Sequence, residues 1–403
     1  MGGMFEGRIV SDRRTFLTGA AGTALAAAAG FPRPAIAQGA PIKIGFMLPY
    51  SGTFAKLGQF IDNGFRLYVE QKGGKLGGRE VTFVQLDDES KPENGTDNMN
   101  RLVSRDKVDI VVGTVHSGVA MAMVKVARDT NTMLIIPNAG ANDATGPLCA
   151  PNIFRTSFSN WQPNFPMGKV MFDAGHKNVA TITWRYTAGA EQMSGFKEGF
   201  TKAGGKVVED LTLPFPEVEF QALITRIATL KPDAVHCFFA GGGAVKFVKD
   251  YAAAGLMKTI PLYGSGFLTD GTLEAQGAAA EGLKTSLHYA DDLDNPANKA
   301  FLAAFKKKTN LEGDIYAVQG YDAAALIEIG LTAVGGDASA RPKMIAAMEA
   351  AKIDSPRGPL SFNKAHNPIQ NIYLREVRQG KNAYVSVAQA NVDDPARGCK
   401  LSA

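Results

Sequence analysis

The 403 residues include only three cysteines, two tryptophans and five histidines. Three cysteines cannot staple a chain of this length, so a hydrophobic core must hold it together. The histidines, at 116, 176, 236, 288 and 366, are scattered, and neither H-E-x-x-H nor C-x-x-C occurs. No metal site is therefore expected. G-x-S-x-G, G-x-x-x-x-G-K-[ST] and a G-x-G-x-x-G after the first strand are also missing. Those absences remove the nucleophile elbow, the phosphate-cradling loop and the dinucleotide fingerprint. With no nucleophile, base or metal constellation, the expectation is a protein that is not an enzyme and needs no cofactor.

Charge of one sign is lacking too. There are 43 basic and 39 acidic residues, a net charge of +4, and no basic block interleaved with aromatics. Nucleic acid is thus not an expected partner. Asp87-Asp88-Glu89 follows a strand and reads as solvent-facing or helix-capping acids, not as paired catalytic carboxylates. Lys306-Lys307-Lys308 reads as a solvated face near a helix end.

Long apolar runs are confined to the start. Residues 1–37 carry Arg13-Arg14, a soft Ala- and Gly-rich stretch from Phe16 to Phe31, and Ala35-Ile36-Ala37. This is the pattern of a cleaved export signal, and the apolar part is shorter than the ~20 residues that span a bilayer. The arginine pair resembles a twin-arginine signal, although Asp12 stands where Ser or Thr more often precedes the pair. The mature chain would begin near Gln38 and reside in the periplasm. Cys237, in AVHCFF, reads as a small core residue. Cys149 and Cys399 lie in loop-like sequence and could form one disulfide in an oxidising compartment; sequence does not show whether they meet.

What remains is rhythm. Strand patterns at 42–48, 81–86, 108–113 and 133–137 alternate with helical patterns, including a polar helix from Pro92 to Arg105. The rhythm restarts with strands at 178–184, 207–213, 234–239 and 261–265, separated by helices over 189–205, 219–230 and 243–254. Two long helices, 297–309 and 316–334, and two alternating strands joined at Gly380-Lys381 complete it. Two βαβαβ runs predict two doubly wound parallel sheets. Ligands of such sheets sit at the carboxyl ends of the strands. Those ends carry SGTF, GTVHSG, PNAGAN, WRYTAG, FAGGG and GSGF.

These loops, with PYSGTFAKLGQ, QLDDESKPENGTDNMNRLVSRDKVDIVVGTVHSG, PNIFRTSFSNWQ and YAVQGYDAAALI, resemble the periplasmic solute-binding proteins of branched-chain amino acid-type ABC importers. The resemblance spans essentially the whole mature chain. It implies two α/β lobes joined by three crossovers (a type I periplasmic binding protein), acting as a monomer that presents its ligand to a membrane permease. Residues 41–157 and 289–366 would form lobe one, 158–288 and 367–390 lobe two, and 391–403 a tail. The resemblance assigns Ser117 to the ligand carboxylate, Asn138, Ala139 and Gly140 to a second contact loop, and Tyr316 to the ligand face. Tyr186 and the FAGGG loop with Gly241 fall near the closing face. Position adds Phe54, His116 and Trp161. His116 has two readings, a donor to a ring substituent or a satisfied turn histidine; Trp184 is open between site and core.

One departure shapes the expected ligand. Amino acid-binding members carry an acid in the loop after the last lobe-two strand, where this chain has Gly266, and tend to have a hydroxyl residue where it has Gly140. A buried ammonium without an anionic partner is costly. Aromatics are plentiful near the expected cleft, so the expected ligand is an aromatic carboxylate of benzoate or phenylpropanoid type. The alternatives are a branched-chain amino acid, an amide or another small acid, or a periplasmic sensor with the same fold.

Overall fold

The computed structural model describes residues 39–401. The export-signal reading of residues 1–37 lies outside them. The chain opens with β1 (Ile42–Leu48), α1 (Ala55–Gln71), β2 (Lys75–Leu76), β3 (Arg79–Asp87) and α2 (Pro92–Asn100). Then come β4 (Ile110–Gly113), α3 (Ser117–Thr130), β5 (Met133–Ile136) and β6 (Ile153–Arg155). The first sheet has the order β2-β3-β1-β4-β5-β6 and is parallel except for the β2–β3 hairpin. Every residue of β1 but Lys43 is buried, as a central strand covered on both faces requires. The helix expected from Pro92 to Arg105 instead ends at Asn100 and continues as a π-helical turn, Arg101–Arg105.

The second lobe holds α4 (Asn164–Asp173), β7 (Asn178–Arg185), α5 (Thr187–Lys202), β8 (Lys206–Pro214), α6 (Gln221–Leu230), β9 (Ala234–Phe238), α7 (Gly241–Ala253), β10 (Leu262–Ser265), α8 (Leu273–Gln276) and β11 (Lys284–Leu287). The chain returns through α9 (Pro296–Thr309), α10 (Ile315–Ala333) and α11 (Arg341–Glu349). It finishes with β12 (Ile353–Ser355), β13 (Gly358–Phe362), β14 (Pro368–Arg378) and β15 (Lys381–Val392). The second sheet runs β12-β13-β14-β11-β10-β9-β7-β8, with β15 paired to β14. β7 to β11 are parallel, whereas β14 enters antiparallel to β11. By pairing, β12 and β13 thus extend the second sheet through the first residues of β14.

Helix α10 is buried almost all round, which explains its lack of an amphipathic pattern. It lies against α1 at a distance that two glycines make possible. A Cβ on Gly64 would collide with the Ala317 carbonyl, and one on Gly320 with that of Ile61.

The segments that pass between lobes are tied to one another. Gln162 donates through Nε2 to the carbonyls of Pro368 (2.8 Å) and Val392 (3.0 Å), and Ser286 Oγ donates to the Pro163 carbonyl (2.6 Å). The tail after β15 ends at the first lobe, where Cys399 forms a disulfide with Cys149. Cys237 is a buried free thiol within the second-lobe core.

Candidate ligand-binding site

The strand-end loops of the two lobes face each other, and the lobes stand closed. Phe54 of the first lobe meets the second-lobe rings of Phe215 (5.5 Å between centroids) and Trp184 (6.4 Å). Gly241, at the start of α7, lies so near the first lobe that a Cβ there would be 2.5 Å from the Thr53 carbonyl.

Between the lobes is a small cavity, drawn nearly shut by the closed lobes. The first lobe contributes Phe54, Leu57, Val115, Ser117, Asn138, Gly140 and Tyr316. Phe158 and Asn160 come from the first crossover. Tyr186, Ala188, Gln192, Phe238, Ala240 and Phe267 form the second-lobe wall. None of these side chains is charged at neutral pH, and six of them are Phe or Tyr rings: Phe158 and Phe267 have centroids 4.7 Å apart, and Phe267 and Tyr316 6.2 Å.

Three helices begin at this cavity: α3 at Ser117, α5 just after Tyr186, and α7 just after Ala240. None has an acid in its first turn. Helix starts present unpaired amides and the positive end of the dipole, so this uncharged cavity favours an anion. Polar side chains lie in the same wall. Asn160 Nδ2 is 3.3 Å from Ser117 Oγ, and Gln192 Nε2 is 3.4 Å from Asn160 Oδ1. Asn138 donates to Gln319 (2.7 Å), whose amide meets His288 Nε2 at 3.2 Å. The Tyr316 hydroxyl is buried and has no hydrogen-bond partner among the described residues. Burial holds the Tyr186 and Tyr316 hydroxyls far above their ordinary range, so both remain protonated donors.

Six of the expected residues line the cavity: Phe54, Ser117, Asn138, Gly140, Tyr186 and Tyr316. Four do not. His116 is the cap of α3: its Nδ1 accepts from the Gly118 amide (3.1 Å) and more weakly from Val119 (3.4 Å). An accepting Nδ1 carries no proton, and burial pushes the imidazole pKa down to about 4. The ring is packed between Tyr186 (4.8 Å) and Phe215 (4.9 Å) of the other lobe. Its turn-histidine reading is the one the geometry matches. Ala139 is buried behind the wall, its amide bound to the Thr114 carbonyl (2.9 Å). Gly241 serves the lobe contact described above. Trp161 faces away: it stacks on Phe165 (4.4 Å) and donates to Glu198 (3.0 Å), which satisfies the buried indole N–H outside the cavity. Trp184 is core, with its indole bound to the Glu217 carbonyl (2.7 Å).

Asn160, Gln192, Phe158 and Phe238 were not singled out from sequence. Gln192 lies one helical turn after Ala188, which puts both on one face of α5. Asn160 sits in the polar run SNWQ, which a buried strand precedes; that run was the available signal.

Gly266 also explains itself. A Cβ there would collide with the Arg375 guanidinium and with Leu287. Arg375 is fully buried and paired with Asp270 (2.7 Å), with further bonds to Thr285 and the Tyr289 carbonyl. An acid at 266 therefore has no room. The carboxylates of the Asp87-Asp88-Glu89 run are structural: Asp87 accepts from the Tyr50 and Glu89 amides, and Asp88 from Ser90 and the Thr114 hydroxyl. Among the described residues no group of His, Cys, Asp and Glu could hold a metal ion, and no helix is long and apolar enough to cross a membrane.

A two-lobed fold is what the comparisons with known proteins also find. The sequence model described as "Periplasmic binding protein" matches residues 41–382. An ABC-transporter solute-binding protein of R. palustris, solved in complex with benzoate, is 52% identical, with a TM-score of 0.88 over 89% of this chain and 99% of that one. A second, from Rhodopseudomonas palustris BisB5 with 3,4-dihydroxybenzoic acid, is 33% identical, with a TM-score of 0.84 over 88% and 99%. The Leu/Ile/Val-binding protein homolog 6 of Brucella melitensis is 32% identical over 343 residues, 83% of this chain and 87% of the relative. Fold, cleft and sequence agree, and the chain belongs to the periplasmic binding protein family.

Proposed function

We propose that the chain is the periplasmic solute-binding component of an ABC importer, that it takes up a small aromatic carboxylate between its lobes, and that the closed form delivers it to a membrane permease. The observation that carries this reading is the combination in one cavity of aromatic walls, three helix starts and no charged side chain. A flat ring gains contact with Phe158, Phe267 and Tyr316, and a carboxylate gains the amide and hydroxyl of Ser117, the next two amides being held by His116. An α-ammonium would find no acid in the wall and would lose several kcal/mol of hydration. Benzoate-bound and dihydroxybenzoate-bound relatives support the same ligand class. The protein works as a monomer without a cofactor and without turnover, and a twin-arginine-type signal exports it.

The test is thermal stabilisation of the mature protein by a panel of benzoates, phenylpropanoids, branched-chain amino acids, amides and short fatty acids. A ligand that binds only the folded state raises the melting point with its saturation. Stabilisation by benzoates is expected. Chemical conversion of a bound acid would instead make the protein an enzyme and remove the transport reading.

A further inference from the structure

Glu191 stands on α5 in the second lobe, yet one of its hydrogen bonds goes across the cleft and the other to the crossover. Its Oε2 accepts from the Asn142 amide of the first lobe (2.9 Å) and from Asn160 Nδ2 of the first crossover (2.7 Å). No Lys, Arg or His forms an ion pair with it among the described residues; burial raises its pKa, the Asn160 and Asn142 bonds and the more distant, fully buried Arg155 pull it back down, and Asp143 adds to the rise. The Asn160 amide that it holds is also the one 3.3 Å from Ser117 Oγ, in the cavity wall. Asn142 is itself tied to the crossover, since its Oδ1 accepts from the Trp161 amide (3.3 Å).

This arrangement exists only when the lobes are together. Opening the cleft separates α5 from Asn142 and returns the carboxylate to water. Hydrogen bonds to an ionised acceptor are about twice as strong as neutral ones, so two of them on one oxygen weigh on the position of closure. The Asn160 amide connects that position to the ligand. A carboxylate seated on Ser117 fixes the Ser117 hydroxyl, the hydroxyl fixes Asn160, and Asn160 completes the pair of donors that Glu191 needs.

We infer that Glu191 is the interlobe latch of this binding protein, a positioning residue that couples occupancy at Ser117 to closure through Asn160. The inference rests on the reading of the cleft as a carboxylate site. It goes beyond it in assigning closure to one residue that does not line the cavity.

The experiment compares the mature wild type with Glu191→Ala and Glu191→Gln. Benzoate association and dissociation are followed by stopped-flow fluorescence, and the radius of gyration by small-angle scattering with and without benzoate. A latch slows release more than it changes encounter. Glu191→Ala is expected to speed dissociation by about tenfold with little change in association, and to leave the benzoate-saturated protein more open than wild type. Glu191→Gln keeps an acceptor oxygen and should fall between the two. Unchanged dissociation in Glu191→Ala would overturn the latch. So would equal losses in both variants accompanied by equal drops in the ligand-free melting point, which mark a general structural role. If wild type binds leucine and not benzoate, the aromatic-acid reading fails, and the same rates measured with leucine decide the latch.

Discussion

Two hollows lie between the lobes among the described residues, and the smaller is the proposed binding site. The proposed ligand cavity is small and has no charged lining. The other is roomier; it runs between Lys56 and Phe60 of α1, Asp314, and the second-lobe residues Thr269 and Thr272, and includes Glu274, Asp291 and Glu312. It has four acids and one lysine. Burial pushes Asp314 up to about 8 and Asp291 up to about 7, with nearby Asp270 adding to both. Those acids are occupied in structure: Asp314 caps α10 by accepting from Ala317 (3.1 Å), and Asp291 accepts from the Asn382 amide (2.9 Å). Volume alone does not mark a site. Apolar walls that already touch, with donors aimed inward, do.

That contrast can be broken in order of effect. Gln192→Glu keeps the shape of the small cavity and adds a negative charge to its wall. A like charge beside a bound anion costs several kcal/mol, so benzoate affinity should fall by about 100-fold or more. Benzamide, which has no charge, should lose much less; equal losses in calorimetry would mean that the variant changed shape and not potential. Ser117→Ala removes one hydroxyl and leaves the helix-start amide. A hydrogen bond to a charged group is worth about 1.5–3 kcal/mol, so a loss of about tenfold is expected with little change in melting point. Unchanged affinity would take the hydroxyl out of the site.

The smallest effect belongs to the large hollow. Asp314→Asn keeps an oxygen for the Ala317 amide, and benzoate affinity should change by less than about threefold. Its signature is in pH instead. The folded pKa of Asp314 lies above that of the unfolded chain, so its contribution is fully present at acid pH and is lost as pH rises through about 8. Denaturation at pH 6 and pH 9 should show the wild type losing more stability than the variant. An equal loss would place the Asp314 carboxylate in water.

Much of this was legible before any coordinates. Strand alternation and glycine stops located the central strands; the sequence reads a helix from Val119 with Ser117 as its cap, whereas the helix begins at Ser117 and His116 caps it. Gly266 correctly pointed to a missing acid, although the reason, the Arg375 guanidinium lying against it, depends on a strand more than 100 residues later in the chain. The misses share a cause. Trp161 looks like a site aromatic, and Trp184 stays open between site and core, because a sequence shows a ring near a loop and not the direction in which it points. Both turn away from the cavity to partners that satisfy the indole N–H, the Glu198 carboxylate and the Glu217 carbonyl. His116 reads equally as cap or ligand donor, since only packing decides where Nδ1 points. Asn160, Gln192 and Glu191 are ordinary polar residues until the lobes close and bring the crossover against α5.

The most direct test is competition between benzoate and L-leucine for the purified mature protein, measured by isothermal titration calorimetry. Both ligands carry a carboxylate; one adds a ring, the other an ammonium. Benzoate should bind at micromolar concentration or below, and leucine should neither bind nor displace it. Tight leucine binding without benzoate binding would contradict the reading of the cavity, and would require an acid outside its present wall, with Glu191 the first candidate, to meet the ammonium.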